Sequence, residues 1–207
     1  MKKITTIFAA FLLSSSFSAQ YKQKEYEKHP EQRIFPTGKF DSLDAKKRLA
    51  VGTTTMQGVA FTKPKTKFGY RAPLADRIYA NHIVVELFPL SPYFQEWYDL
   101  KRGKENLKKN IIVFMDNAAY RYRLTCETNN RGEFTFPKMK PGKYILVGNL
   151  PWTSSGSYDQ YTGSGYGSNG GRTDYYQRQY YSNSHNDFLM EIVEVKEGDA
   201  ITKVKLK

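Results

Sequence analysis

The stretch that most constrains what this chain can fold into is residues 128–150, TNNRGEFTFPKMKPGKYILVGNL. It reads as the end of a strand, a turn, a short strand, a second turn and a longer strand. Asn129-Asn130-Arg131-Gly132 supplies the first turn, because Asn tolerates left-handed backbone and Gly adopts it without steric cost. Glu133-Phe134-Thr135-Phe136 alternates polar and aromatic, which puts both phenylalanines on one face. Pro137 has no N–H for a ladder and predicts the end of that strand. Pro141-Gly142 is the second turn, with proline fixing φ at its first corner. Residues 144–150 then form the most apolar strand signal in the chain. Phe134, Phe136, Tyr144 and Leu146 are the expected inward set.

Strand signals of the same kind recur on both sides. Residues 53–61 are rich in β-branched side chains, and Gly58 among them points to a bulge or a close backbone approach. In residues 81–88, Ile83, Val85 and Leu87 share one face, with Val84, Glu86 and Phe88 on the other. Ser91-Pro92 opens a helix, serine as N-cap and proline at the first helical position. Phe94, Trp97 and Tyr98 follow at helical spacing, and Gly103 is the expected stop. Val84, Phe88, Ile145 and Val147 are apolar on faces turned away from the core, so this helix is expected to cover them. Residues 110–114, 120–128, 188–195 and 201–206 complete the strand candidates, with Val204 and Leu206 inward and Lys203 and Lys205 outward. Seven or eight short strands between turns predict a mostly β, antiparallel sandwich over residues 51–207. Two insertions interrupt it, residues 91–118 with the helix and residues 151–187.

The chain opens with Lys2-Lys3, an apolar run over residues 4–13 and small residues over 14–19. This is the pattern of a secretory signal peptide, residues 1–19, cut between Ala19 and Gln20. The apolar run is too short to span a bilayer, and no later run reaches that length. The expected product is exported, periplasmic or on the cell surface, with no transmembrane segment. Residues 20–50 are polar and mixed in charge and read as a flexible arm or linker; residues 41–49 are compatible with a short helix, and docking of Ile34-Phe35 on the domain is the lesser alternative. Cys126 is the single cysteine, so no intramolecular disulfide forms, and its strand position predicts a small buried hydrophobe. The formal net charge is +12. Such a charge attracts anionic membrane surfaces or acidic polysaccharide, and it serves solubility equally well. Export sets nucleic acid aside as a partner.

Gly58-Val59 in the first strand, the run Ile83 to Phe88, Thr128-Asn-Asn-Arg-Gly-Glu-Phe-Thr-Phe, Lys140-Pro-Gly-Lys-Tyr-Ile-Leu and the closing Val193-Glu-Val, Gly198 and Val204-Lys-Leu together resemble the carboxypeptidase regulatory-like domain. The resemblance covers residues 53–207 in pieces, apart from the two insertions. It implies the transthyretin-like (prealbumin-like) sandwich, akin to the Ig-like architecture, and no catalysis, since in carboxypeptidases this domain accompanies the zinc enzyme. Related sandwiches include starch-binding modules, a fold-level reason to consider carbohydrate. Others carry a Lys–Asn isopeptide cross-link that needs an acid on the strand after Pro-Gly-x-Tyr. Here that strand continues Ile145-Leu-Val-Gly-Asn, so no cross-link is expected. The family's common Asp in the turn before Phe-x-Phe is replaced by Asn129, Asn130 and Arg131.

The residues themselves assemble no catalytic constellation. His29, His82 and His185 lie far apart and in no metal-binding spacing, so neither a metal nor another cofactor is expected. Cys126 lacks the exposed, electropositive setting of a nucleophile. Gly163-Ser-Gly-Tyr-Gly neither follows a strand signal nor opens a helix, which fails the test for phosphate binding. The unusual feature is residues 153–187, with seven tyrosines, six glycines and no aliphatic side chain. Read as a long Tyr/Gly-rich loop, it makes Trp152, Tyr158, Tyr161, Tyr166, Arg172, Tyr175, Tyr176, Arg178, Tyr180 and Tyr181 the candidate ligand-binding residues. Aromatic faces stack on sugar rings while Tyr hydroxyls, Asn, Gln and Arg supply hydrogen bonds. The same composition suits an envelope-protein partner, or simply covers strand edges. The sequence therefore predicts a non-catalytic binding or scaffold module, carbohydrate-binding or protein-binding.

Overall fold

The computed structural model describes residues 30–64 and 74–207, and Glu31–Lys207 form one compact unit. The signal segment, the first part of the arm and His29 lie outside the described residues. In chain order the elements are β1 (Gln32–Ile34), α1 (Ser42–Arg48), β2 (Thr54–Thr62), β3 (Ile78–Tyr79), β4 (Val84–Pro89), α2 (Pro92–Gly103), β5 (Ile111–Val113), α3 (Asn117–Tyr120), β6 (Leu124–Glu127), β7 (Glu133–Met139), β8 (Gly142–Tyr166), β9 (Arg172–Val195) and β10 (Ile201–Leu206). No helix among them is long and apolar enough to cross a membrane.

The molecule is mostly β, as expected. One sheet runs β6-β4-β8-β9, antiparallel throughout. The other centres on β2, which pairs antiparallel with β7 and β3 and parallel with β10. A short parallel pair, β1 with β5, stands apart. The strand around Phe134 does not stop at Pro137. It runs on to Met139 because the β2–β7 register shifts there, with Thr54 opposite Met139 and Met56 opposite Phe136. The proline thus sits in a bulge, where its missing N–H costs no ladder bond, and Lys138 beside it takes φ 55°. In the turn before β7, the Asn129 side-chain oxygen accepts from the backbone N–H of Arg131 and of Glu133, both at 2.9 Å. Gly132 completes it at φ 73°, where a β-carbon would stand 2.4 Å from the Ala60 carbonyl oxygen.

The two sheets enclose one core. Phe134, Phe136, Tyr144 and Leu146 are buried in it as expected, with Val85, Leu87, Leu189 and Leu206. Gly58 belongs to this packing: the Phe134 ring lies where its β-carbon would be, 2.2 Å from Cζ. A second core lies on the outer face of the β4-β8-β9 sheet. There Tyr93, Phe94, Trp97 and Tyr98 of α2 cover Phe88, Ile145 and Val147. Each such large apolar side chain withdrawn from water contributes about 1.5–3 kcal/mol. Val84 is the exception to the expected cover: it is 56% exposed and lines an open cleft beside α2.

Residues 31–50 are docked rather than acting as a linker. Ile34 pairs with Val113 through β1 and β5. Phe40 packs edge-on to Tyr93 and Phe94, with ring centroids 5.4 and 5.7 Å away. Glu96 of α2 accepts the N–H and hydroxyl of Thr37 and the N–H of Gly38 at 2.7–2.9 Å. Those three donors hold its carboxyl below the ordinary glutamate range, the Thr37 N–H foremost. Residues 31–50 thus belong to the same compact unit as the sandwich.

The largest departure from expectation is residues 151–187. They are not a loop but the outer part of β8 and β9, a two-stranded ribbon.

Candidate functional site

β8 is paired with β4 only as far as Gly148. Beyond that point β9 is its sole strand neighbour among the described residues, out to Tyr166 opposite Arg172. At about 3.3 Å per residue the ribbon extends roughly 50 Å from Leu150 to its tip. A five-residue turn closes it, with the Gly167 N–H donating to the Gly171 carbonyl at 2.8 Å and Gly170 at φ 79°.

The ribbon forms in a glycine-rich sequence because of what stands opposite each glycine. Tyrosine favours extended backbone, whereas glycine lacks the side chain that packs a strand. Gly156 pairs with Tyr181 and Gly163 with Tyr175. The Tyr181 ring lies over Gly156, and the Tyr175 ring reaches over Gly165, where a β-carbon would be 3.1 Å from its hydroxyl. Aromatic rings laid across glycines in this way restore the missing packing.

Directly opposed residues of an antiparallel pair share a face, so the register sorts the side chains into two sets. On one, called the platform face, lie Trp152, Ser154, Tyr158 and Gln160 of β8, and Tyr175, Gln177, Gln179, Tyr181, Asn183 and His185 of β9. On the other, the charged face, lie Asp159, Tyr161, Ser164 and Tyr166, and Arg172, Asp174, Tyr176, Arg178 and Tyr180. Thr162 is the extra residue at a register break between Tyr161 and Gly163.

The charged face spends its polar groups internally. Arg178 pairs with Asp159 at 3.0 Å and Arg172 with Asp174 at 2.7 Å. The Ser164 hydroxyl donates to Asp174, and this bond, then Arg172, lowers the Asp174 pKa. Tyr161 and Tyr176 meet edge to face, 5.8 Å between centroids. Residues 151–186 consequently carry two acids, two arginines and no net formal charge.

Outward of Asp187 at its base, the platform face carries no Asp, Glu, Lys or Arg side chain. Its root is a stack: Trp152 and His185 lie 4.0 Å apart, 16° from parallel. His185 Nε2 bonds the Ser154 hydroxyl at 2.8 Å. Trp152 itself packs against the main core, and its indole N–H is buried without a partner among the described residues. Just below, the Thr62 hydroxyl donates to Asp187 at 2.5 Å and ties β9 to the other sheet. Outward follow Tyr181 with Tyr158, 6.5 Å apart, and then Tyr175. Tyr181 and Tyr175 are 48% and 56% exposed. Each is covered by the ribbon on one side and open to solvent on the other. The carboxamides of Gln160, Gln177, Gln179 and Asn183 lie between the rings.

The structure thus separates the ten residues expected to form one site. Trp152, Tyr158, Tyr175 and Tyr181 share the platform face. Tyr161, Tyr166, Arg172, Tyr176, Arg178 and Tyr180 point the other way. Gln177, Gln179, Asn183 and His185 belong with the first group, and only the pairing register identifies them.

Elsewhere, a cleft of about 400 Å³ between α2 and the sheet is lined by Val84, Phe88, Trp97, Lys101, Tyr120 and Phe188 among others. Glu86 in it accepts from the Tyr120 hydroxyl at 2.7 Å and from Arg123 at 2.9 Å, which ties up its carboxylate. His82 bonds Glu127. No three His, Cys, Asp or Glu side chains converge as metal ligands among the described residues.

No family model matches the chain, and no curated relative does. Among solved structures, the chain is similar to one from Pseudomonas aeruginosa described as a candidate carbohydrate-binding protein. The TM-score is 0.51 at 16% identity, covering 82% of this chain and 97% of that one. At that identity the likeness extends to the fold alone.

Proposed function

We propose that this protein is a non-catalytic module that binds neutral carbohydrate along the platform face of the ribbon. One observation carries the reading: the register gathers flat, half-exposed tyrosines and carboxamides on one face and sends every arginine and aspartate of residues 151–186 to the other. Sugar rings present apolar C–H faces and a fringe of hydroxyls. The tyrosine rings suit the first, and Gln160, Gln177, Gln179 and Asn183, each both donor and acceptor, suit the second. The absence of net charge along the ribbon favours neutral over acidic glycans. At roughly 1 kcal/mol per stacked ring, by analogy with aromatic pairs, three tyrosines with a few hydrogen bonds give a weak site, with Kd on the order of a millimolar. Avidity along a polymer would raise this.

The same reading makes the protein exported through residues 1–19, to the periplasm or cell surface, and a relative of the carboxypeptidase regulatory-like domains. The residues that carry that resemblance lie in or beside β2, β4, β7, β8, β9 and β10. The second reading is recognition of an envelope protein. It is favoured by Tyr180 and Tyr166, 80% and 74% exposed on the charged face, and by the Tyr, Ser and Gly composition common in paratopes.

Glycan-array binding by the full chain, and by a variant in which residues 156–181 are replaced by Asn-Gly, separates these readings. Ser155 and Ser182 are paired, and Asn-Gly closes a two-residue hairpin, so the root remains intact. Neutral glycans held by the full chain and lost by the shortened one support the proposal. An array on which the full chain retains nothing, or both retain the same glycans, overturns it.

A further inference from the structure

β9 is the last strand of its sheet, and its outer side has no strand partner among the described residues. Proteins ordinarily blunt such edges with lysine, proline, bulges or shortness. β9 has no bulge of its own, and its charged side chains along the ribbon, Arg172, Asp174 and Arg178, are already ion-paired within it. The strand is 24 residues long and contains neither lysine nor proline. Lysine, frequent elsewhere, is absent between Lys143 and Lys196. The free edge of β8 is different, with Pro151 at the ribbon's base and the register break at Thr162. A two-stranded ribbon is marginal by itself and gains from a further strand. Residues 151–186 carry no net charge in a chain of +12, so two copies repelled elsewhere meet no net repulsion here.

We infer that β9 pairs antiparallel with β9 of a second copy about a two-fold axis, making a four-stranded ribbon in the order β8-β9-β9-β8. Centred on Gln179, this pairing runs from Arg172 to Asn186. It sets Tyr176 opposite Ser182, Gln177 opposite Tyr181 and Arg178 opposite Tyr180. No two like charges are directly opposed, the arrangement that destabilises cross-strand pairs. An axis perpendicular to the ribbon keeps the two platform faces on one side and doubles the tyrosine surface. The contact is isologous. It consumes both β9 edges and leaves only the blunted β8 edges, so assembly stops at two.

Sedimentation and light scattering of the full chain over a dilution series test this inference. Two charged variants sharpen it: Tyr176→Lys with Ser182→Lys, and Tyr176→Glu with Ser182→Glu. All four substitutions lie on the charged face, away from the platform. The expected result is twice the chain mass for the wild type, a single chain mass for each variant alone, and twice the chain mass again when the variants are mixed in equal amounts. A wild type of single mass overturns the inference, as does a dimer that both variants form unchanged or an open-ended series of larger species. Recovery in the mixture distinguishes charge repulsion from misfolding of the variants.

Discussion

Tyr181 lies over Gly156, its partner across the β8–β9 ladder, so closely that a β-carbon on the glycine would stand 2.5 Å from the tyrosine hydroxyl. The glycine is therefore what lets the ring lie flat. Tyr181 is about half exposed and free to swing outward. Gly156→Thr should tilt the ring off the ribbon while improving local strand propensity. We predict stability within about 0.5 kcal/mol of wild type, or slightly above it, and a several-fold loss of glycan affinity. Urea unfolding and a binding titration read the two effects separately.

Trp97 is 4% exposed in the second core and contacts the Phe88 ring at 5.9 Å between centroids. Trp97→Ala is expected to cost about 3–5 kcal/mol and lower Tm accordingly. Val84→Ser on the same sheet face should change stability by less than about 0.5 kcal/mol, because α2 leaves Val84 exposed. Equal melting of Trp97→Ala and wild type would mean that α2 is not structural cover.

Glu96 clamps Thr37 and Gly38 to α2, and its pKa lies below the ordinary 4.5. A carboxylate with a depressed folded pKa contributes its stabilisation above its unfolded pKa and loses it as pH falls through the folded one. Protection of the Thr37 and Gly38 amides, taken relative to intrinsic exchange at the same pH, should therefore be high near neutrality and fall below the ordinary glutamate range. In Glu96→Gln protection should be lower at neutral pH, with this transition gone. An unchanged profile in the variant would exclude the clamp.

Burial raises the Cys126 thiol to about 11. At pH 8 its thiolate fraction is on the order of 100-fold below that of an ordinary thiol near 8.5. Labelling by a disulfide reagent should be slow in the folded chain and fast in denaturant. The unfolded thiol ionises first, so this group's contribution to stability is full below its unfolded pKa and declines as pH rises toward 11.

What the sequence revealed, and what it hid, follows from where side chains find contrast. Phe134 and Phe136 alternate with polar neighbours and pack inward, so their face could be read directly. Gly58 announced a close approach, and the Phe134 ring supplies it. Phe94, Trp97 and Tyr98 had helical spacing and an apolar sheet face to cover. Residues 153–187 have no aliphatic side chains, so alternation there separates tyrosine from glutamine or serine, a contrast hydropathy does not register. The face logic appears only when Gly156 is set opposite Tyr181, a pairing fixed by the register of the ribbon as a whole. Phe40 was an isolated aromatic in a polar stretch, and its partners Tyr93 and Phe94 lie more than fifty residues away. That is why residues 31–50 read as a linker.

The proposed function requires that one face of the ribbon bind sugar and the other not. Calorimetric titration with a neutral oligosaccharide selected from the array tests it most directly, using Tyr158→Ala with Tyr181→Ala on the platform face and Tyr161→Ala with Tyr180→Ala on the charged face. Two rings at roughly 1 kcal/mol each predict an approximately 30-fold loss for the first pair, and a change of less than about twofold for the second. Equal losses from both pairs, or a larger loss from the charged face, would contradict the account.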